Sequence, residues 1–190
     1  MLSNIDGQPS LMTKYICNAF IGIGANLPGL NYITPRATCE AAVKELLSLG
    51  INIESQSSWY RSAPVPTSDQ PWFINGIIST CTSLEASALI NVLHDVERKF
   101  GRARATKNAA RTLDLDLIAY ANMVSGWKRK ADDSLIIPHP RMHERGFVLL
   151  PLYEIAPDWC HPVFMTPIEE LIAKLDPSQK IIVDDEETSY

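Results

Sequence analysis

With 190 residues, 46% of them hydrophobic and 21% charged, the chain has ordinary globular composition and enough length for one domain with a buried core. A formal net charge of −5 argues against a general nucleic-acid binder, which carries a basic surplus. No apolar run approaches the roughly 18 residues that a membrane span needs, and no signal-peptide core precedes the first strand, so a soluble, cytoplasmic protein is expected. Cys17, Cys39, Cys81 and Cys160 form no Cys-x-x-Cys pair or zinc-like spacing, and Cys39 and Cys81 read as buried, inert thiols of a reduced compartment.

Residues 1–18 are rich in Ser, Asn, Gly and Pro and are expected to form a flexible arm. Ala19–Gly24 is an apolar run that reads as a buried strand, followed by the loop Ala25-Asn-Leu-Pro-Gly29. Pro35 opens a helix whose Ala42, Leu46 and Leu49 share one face, and Gly50 closes it. Ile51–Arg61 predicts a second strand ending in Trp59 and Tyr60. The prolines at 64, 66 and 71 require a loop over Ser62–Pro71. Phe73–Cys81 is a third strand, and Glu85–Phe100 a helix with an apolar stripe at Leu89, Val92, Leu93, Val96 and Phe100. A basic loop, Arg102–Ala110, leads to a strand at Arg111–Tyr120. The order β-α-β-β-α-β predicts an α+β fold with a ferredoxin-like core: a mostly antiparallel sheet with both helices on one face. Beyond it, Arg141–Glu144 reads as a short helix. Phe147–Ala156 reads as a helix on the other face, completing three layers, α/β/α. Pro167–Leu175 is a last helix. Residues 19–175 are thus expected as one domain, with 176–190 a tail offering an edge strand at Lys180–Val183 before the acidic, solvated end Asp184-Asp-Glu-Glu187.

The strand Arg111-Thr-Leu-Asp-Leu-Asp-Leu-Ile-Ala-Tyr120 alternates with period two, so Leu113, Leu115 and Leu117 share one face and Asp114 and Asp116 the other. Positions two apart on a strand are about 6.6 Å apart, and carboxylates that close repel unless a cation lies between them. Alone, the pair describes a solvated acidic stripe; the alternative is a site for one or two hard divalent ions. Between Arg98 and Arg111 stand Arg98, Lys99, Arg102, Arg104, Lys107 and Arg111, with no acid among them. Arginines match phosphate oxygens, and carboxylates that hold Mg²⁺ beside arginines make the two halves of a polyphosphate site. The other reading of the loop is a solvated one that neutralises nearby acids. His139, between Pro138 and Pro140, suits a phosphate contact or a local backbone bond, with Arg141 and Arg145 adding charge. His94, His143 and His161 read as surface residues. Phe73 and Asn75 share a face of the third strand and suit a flat heterocycle, by stacking and edge hydrogen bonds. Their other reading is a core ring and a turn cap.

These pieces resemble the 6-hydroxymethyl-7,8-dihydropterin pyrophosphokinase family of folate biosynthesis. The resemblance rests on Gly24-Ala-Asn26, Tyr60-Arg61, Gln70-Pro71 with Asn75, and Glu97 followed by Phe100-Gly-Arg-Ala-Arg104. It continues through Arg111-Thr-Leu-Asp-Leu-Asp116, Pro138-His139, Arg145-Gly-Phe147 and Glu154-Ile-Ala-Pro157. It implies attack of the pterin hydroxymethyl oxygen on the β-phosphorus of MgATP, transfer of a diphosphate and release of AMP, with two Mg²⁺ ions. A monomer is expected, since no heptad run argues for assembly. Carried over residue by residue, Asp114 and Asp116 resemble the metal ligands, and Arg102 and Arg111 the catalytic arginines. Glu97, Arg104, Arg111, Leu117, His139 and Arg145 look like the ATP side. Ser62, Ala63, Pro64, Val65, Phe73, Asn75 and Phe147 look like the pterin side. The basic loop differs from many members in having no tryptophan and in carrying Ala109-Ala110 before Arg111. A ferredoxin-like RNA-binding module using Trp59 and Tyr60, and a nuclease using the two aspartates, are the competing readings.

Overall fold

The computed structural model describes residues 17–66, 68–102, 110–127 and 135–185. The N-terminal arm up to residue 16, Arg104 and Lys107 in the basic loop, and Glu186-Glu187 of the acidic end lie outside them. In chain order the elements are β1 (Cys17–Ala25), α1 (Pro35–Ser48), β2 (Asn52–Gln56), β3 (Tyr60–Ser62), β4 (Phe73–Thr82), α2 (Ala86–Lys99) and β5 (Asp114–Tyr120). After a 3₁₀ turn at Met142–Glu144 come α3 (Gly146–Ile155), β6 (Cys160–His161), β7 (Thr166–Pro167), α4 (Ile168–Ala173) and β8 (Ile181–Val183). The main sheet runs β5-β1-β4-β3-β8, with β2 also on β4, and every pairing is antiparallel. Among the described residues, no helix is long and apolar enough to cross a membrane.

Strand alternation decides which side chains meet which helices. Ile21 and Ile23 of β1, Ile78 of β4, and Leu113, Leu115 and Leu117 at β5 face one way. They pack against Ala42 and Leu46 of α1 and Leu89, Leu93 and Val96 of α2. Thr34 caps α1 by accepting the Ala37 N–H at 3.1 Å, and Pro35 takes the first turn, where its missing donor costs nothing. On the reverse face, Ile77 and Ile118 pack against Val148, Leu149 and Leu152 of α3 and Ile168 and Leu171 of α4. The outcome is the expected α+β fold in three layers, with α1 and α2 on one side of the sheet and α3 and α4 on the other.

The structure departs from the sequence expectation in local ways. The second strand is broken at Ser57–Trp59. Ser57 Oγ accepts the Ile77 N–H at 3.0 Å, which ends the regular ladder and turns Trp59 into the α1–α2 core at 6% exposure. A Cβ on Gly76 would lie 2.8 Å from the Trp59 ring, so the glycine makes room for the indole. Trp59 is therefore not available for base stacking. The alternation of β5 also slips: a bulge opposite Phe20/Ile21 lets both Leu117 and Tyr120 join the same core, and Tyr120 Oη donates to Leu84 O at 2.6 Å. At the tail, β8 pairs with β3 as an edge strand. Asp184, expected in a solvated end, is instead buried, ion-paired to Arg36 at 3.2 Å and donating its N–H to Trp59 O. Cys39 is buried, whereas Cys81 is only half-buried.

His161 is a further correction. It is fully buried, stacked on Phe164 with ring centroids 4.3 Å apart, and enclosed by Trp127, His143 and Trp159. Its Nδ1 faces the N–H groups of Val163 and Phe164, and burial lowers its pKa from 6.5 to about 4, with His143 adding to the effect. The folded state therefore refuses a proton that the unfolded chain accepts below about 6.5. The stability of the neutral ring is complete above that pH and is lost as pH falls towards about 4. The Tm of His161→Phe should consequently fall less between pH 8 and pH 5 than that of the parent; equal slopes in thermal melts would refute this.

Candidate active site

The site face of the sheet is built at one end of four adjacent strands. The register sets Gly24 beside Asp114 on one side and Asn75 on the other, and Gly22 beside Asp116 and Ile77. The aspartates thus stand on β5, the glycines pave β1, and Asn75 stands on β4 with Ser62 of β3 beyond it. With Gly22 and Gly24 leaving the site face of β1 without side chains, this end of the sheet is a floor. A Cβ on Gly24 would come within 3.3 Å of Asn75 Oδ1. Above the floor is a cleft of about 170 Å³. Ser62, Ala63, Pro64 and Val65 line it, together with Phe73, Asn75 and Phe147. Arg111, Asp114, Asp116 and Arg145 line it too. Asn75 and Phe73 are thus cleft residues; Asn75 donates to Ser62 Oγ at 2.9 Å and is 6% exposed, which leaves its amide fixed in orientation.

The electrostatics centre on the aspartates. Asp114 is ion-paired with Arg102 (Nη2 to Oδ1, 2.8 Å) and with Arg111. Burial, then the charge of Asp114, pushes the Asp116 carboxyl up to about 6 against the pull of Arg145, Arg111 and Arg102. Arg145 stands over the Phe147 ring, 5.6 Å from its centroid. The donor set suits a hard divalent ion: two carboxylates on one face, one of them raised in pKa by the other. Among the described residues no third His, Cys, Asp or Glu joins them to make a cage. Remaining ligands must come from substrate oxygens and water, which is how Mg²⁺ is ordinarily held.

Three expected ATP-side residues among those described, Leu117, Glu97 and His139, do not line the cleft. Leu117 is 7% exposed in the α1–α2 core, because the strand period directs it away from the aspartates. Glu97, 3% exposed, lies beneath the site. It accepts the Leu115 N–H at 2.8 Å, between the two aspartates in sequence, and pairs with Arg102. Burial pushes its pKa up to about 7, opposed by the Leu115 N–H and Arg102. His139 accepts the Arg141 N–H on Nδ1 at 3.2 Å, and burial with Arg145 lowers its pKa to about 4. At neutral pH the ring is uncharged and its proton sits on Nε2, as a donor.

Sequence reasoning noted Asn26 only as part of a pattern. The side chain is 1% exposed and ties three segments together. Its Oδ1 accepts the Arg111 N–H at 2.7 Å, and its Nδ2 donates to Gln70 Oε1 at 3.2 Å and to Pro71 O at 3.3 Å. It thereby links the end of β1, the start of the Asp-x-Asp segment and the loop that walls the cleft. An asparagine immediately after a buried glycine-bearing strand was the only available signal.

A family profile described as 7,8-dihydro-6-hydroxymethylpterin-pyrophosphokinase (HPPK) matches residues 20–157. The chain belongs to this family. It is 42% identical over 171 residues to a 2-amino-4-hydroxy-6-hydroxymethyldihydropteridine pyrophosphokinase of a Synechocystis species, a match that covers 89% of this chain and 82% of the relative. It is 34% identical to the protein of the same description from Methylorubrum extorquens, covering 84% of this chain and 94% of that one. Among solved structures, an HPPK-DHPS in complex with substrates superposes with a TM-score of 0.61 at 15% identity, over 84% of this chain and 43% of that one. Plasmodium falciparum HPPK-DHPS does so at 0.63 and 12%, over 84% of this chain and 45% of that one. Those two likenesses concern the fold, and the chain spans less than half the length of either.

Because the floor is open only where β1 lacks side chains, Gly24→Val should raise the KM for the pterin by roughly tenfold or more, the size of a crowded-methylene effect in a pocket. Steady-state kinetics beside a circular-dichroism spectrum check this; an unchanged KM in a folded variant would show that the substrate does not use the floor.

Proposed function

We propose that this cleft carries the family's reaction, with the sheet end as its floor and the arginines as its phosphate clamp. The chain is a pyrophosphokinase that acts on hydroxymethyldihydropterin in folate biosynthesis, with ATP as co-substrate. The observation that carries the site reading is the junction of two unlike halves on one sheet face. Asp114 and Asp116 stand among Arg102, Arg111 and Arg145, and Gly24 separates them from a pocket holding a fixed amide and two aromatic rings.

Each half has its chemistry. Phe73 and Phe147 flank the heterocycle and Asn75 reads its edge, while the backbone of Ser62–Val65 closes the wall. The acceptor hydroxyl then faces the aspartate end. Diphosphoryl transfer spreads negative charge over phosphoryl oxygens, so fixed charges and positioning do most of the work. Arg102 and Arg111, already placed at Asp114, and Arg145, at the cleft wall, supply positive charge to those oxygens. His139 adds a neutral N–H donor from Nε2. Asp114 and Asp116 would hold Mg²⁺, two ions in our reading, which when bound would draw charge from the phosphoryl oxygens. Arg104, outside the described residues, is proposed as a nucleotide contact. A monomer is proposed as the working unit. Cys39, Cys81 and Cys160 are free thiols, which supports a reducing, cytoplasmic setting.

Supplied with MgATP and 6-hydroxymethyl-7,8-dihydropterin, the protein should produce AMP only when the pterin is present; ADP instead of AMP would overturn the diphosphoryl assignment. Asp114→Ala and Asp116→Ala should each cut turnover well over tenfold, since one lost electrostatic group in such a site is worth about 2.7–4 kcal/mol. Near-normal rates in both at saturating Mg²⁺ would remove them from the mechanism. Arg102→Ala should slow a single turnover while leaving the fold intact. Burst-phase kinetics and a melting curve separate that outcome from a structural defect.

A further inference from the structure

We propose that Gln179, outside the family-matched region, is a positioning residue that sets Arg145 and Phe147 in the active-site wall. The proposal rests on the cleft reading above.

Arg145 occupies a single extended residue (φ −115°, ψ 107°) between the 3₁₀ turn and α3. Its side chain reaches the cleft, yet no side chain of the turn or of α3 caps the helix start. The first helical donor is satisfied from far along the chain. Gln179 Oε1 accepts the Gly146 N–H at 2.9 Å, and Gln179 Nε2 donates to Glu144 O at 3.0 Å. One side-chain amide thus binds the backbone on both sides of Arg145. A bidentate grip of this kind fixes the direction in which residue 145 leaves the chain, and with it the following turn that carries Phe147.

The neighbours of Gln179 make it a rigid strut. Its own N–H is held by Asp176 O at 3.1 Å. The next residue, Lys180, accepts the Ala63 N–H on its carbonyl at 3.0 Å, and β8 then pairs with β3 from Ser62 to Tyr60. Ile181 packs so closely on Gly146 that a Cβ there would lie 2.4 Å from Ile181 Cδ1. Residues 179–181 therefore touch both walls of the pterin pocket from behind: the Ser62–Ala63 wall through backbone bonds, and the Arg145–Phe147 wall through the Gln179 amide. One short segment thus braces both walls. The general consequence follows from positioning: a reacting group displaced by about 1 Å can cost about a hundredfold in rate.

The test is a double-mutant cycle on kcat/KM. Gln179→Met keeps the length of the side chain and removes both hydrogen bonds; it should lower kcat/KM roughly ten- to a hundredfold. Gln179→Glu keeps the acceptor for Gly146 but sets a carboxylate oxygen against the Glu144 carbonyl when ionised and a hydroxyl donor when protonated, so its kcat/KM relative to the parent should rise as pH falls. Since Gln179 acts through Arg145 and Phe147, the Gln179→Met/Arg145→Ala double variant should lose less than the product of the two single losses. Ile182→Ser, on the same strand with its side chain 54% exposed, is the control for mere loosening of the tail: its Tm should fall without a change in KM. Full additivity of the two losses, or Gln179→Met with unchanged kcat/KM, overturns the proposal. So does a Gln179→Glu variant whose kcat/KM relative to the parent does not change with pH. If Arg145→Ala itself retained full activity, the cleft reading would fail, whereas an inactive Arg145→Ala beside an unaffected Gln179→Met would sink only this inference.

Discussion

Two carboxylates on one face of one strand set the terms for the structure around them. Asp114 and Asp116 cannot both stay charged in a half-buried place without compensation, and the elevated pKa of Asp116 records first its burial and then the repulsion from Asp114. The compensating charges come from separate parts of the chain. Arg102 follows α2, Arg111 precedes β5 and Arg145 precedes α3. The aspartates are held to the sheet from behind: Leu113, Leu115 and Leu117 are locked into the α1–α2 core, so the strand cannot rotate to relieve the repulsion. Glu97 adds a third carboxylate beneath them, bonded to the Leu115 N–H. Arg102 is consequently shared between Glu97 and Asp114. An arginine placed between a buried acid and a site acid is held in position by the first and directed at the second.

Much of this was legible in the sequence, and the reason is periodicity. The Asp-x-Asp strand announced both its faces, because a period of two needs no knowledge of partners. The stripe of α2 announced its burial in the same way. What escaped depends on residues distant in sequence. The break at Ser57–Trp59 exists because Gly76, on another strand, leaves a hollow for an indole, and an alternating run cannot reveal what lies across from it. His161 read as a surface histidine because Trp127 and His143, which enclose it together with its near neighbours Trp159 and Phe164, come from separate turns earlier in the chain. Leu117 and Glu97 carried the right address but the wrong orientation: both adjoin the site in sequence, yet their side chains point into the protein. Asn26 was visible as a motif but not as a junction, since its hydrogen-bond partners lie more than forty residues away.

The two faces of the sheet differ in a way that explains where the cleft is. The α1–α2 face is mainly apolar across β1, β4 and β5. The other face changes character midway, and it does so at one level across the strands. Moving along β1 the residues pass from Phe20 to Gly22 and Gly24; along β5 from Ile118 to Asp116 and Asp114; along β4 from Ile77 to Asn75. Half of this face needs a helix to cover it and half cannot tolerate one. The bulge in β5 sharpens the boundary, because Ile118 lies over Gly22, 3.1 Å from where its Cβ would be. The helix that covers the apolar half must then begin at the boundary, and α3 begins there. Its first residues follow directly on Arg145: Gly146 lies against Ile181, and Phe147 lines the cleft while also packing against the second core. A helix start one turn earlier would bury the aspartates; one turn later would expose Ile77 and Ile118. The position of that helix start is therefore the structural quantity on which both the second core and the site depend, and the sheet pattern alone does not fix it.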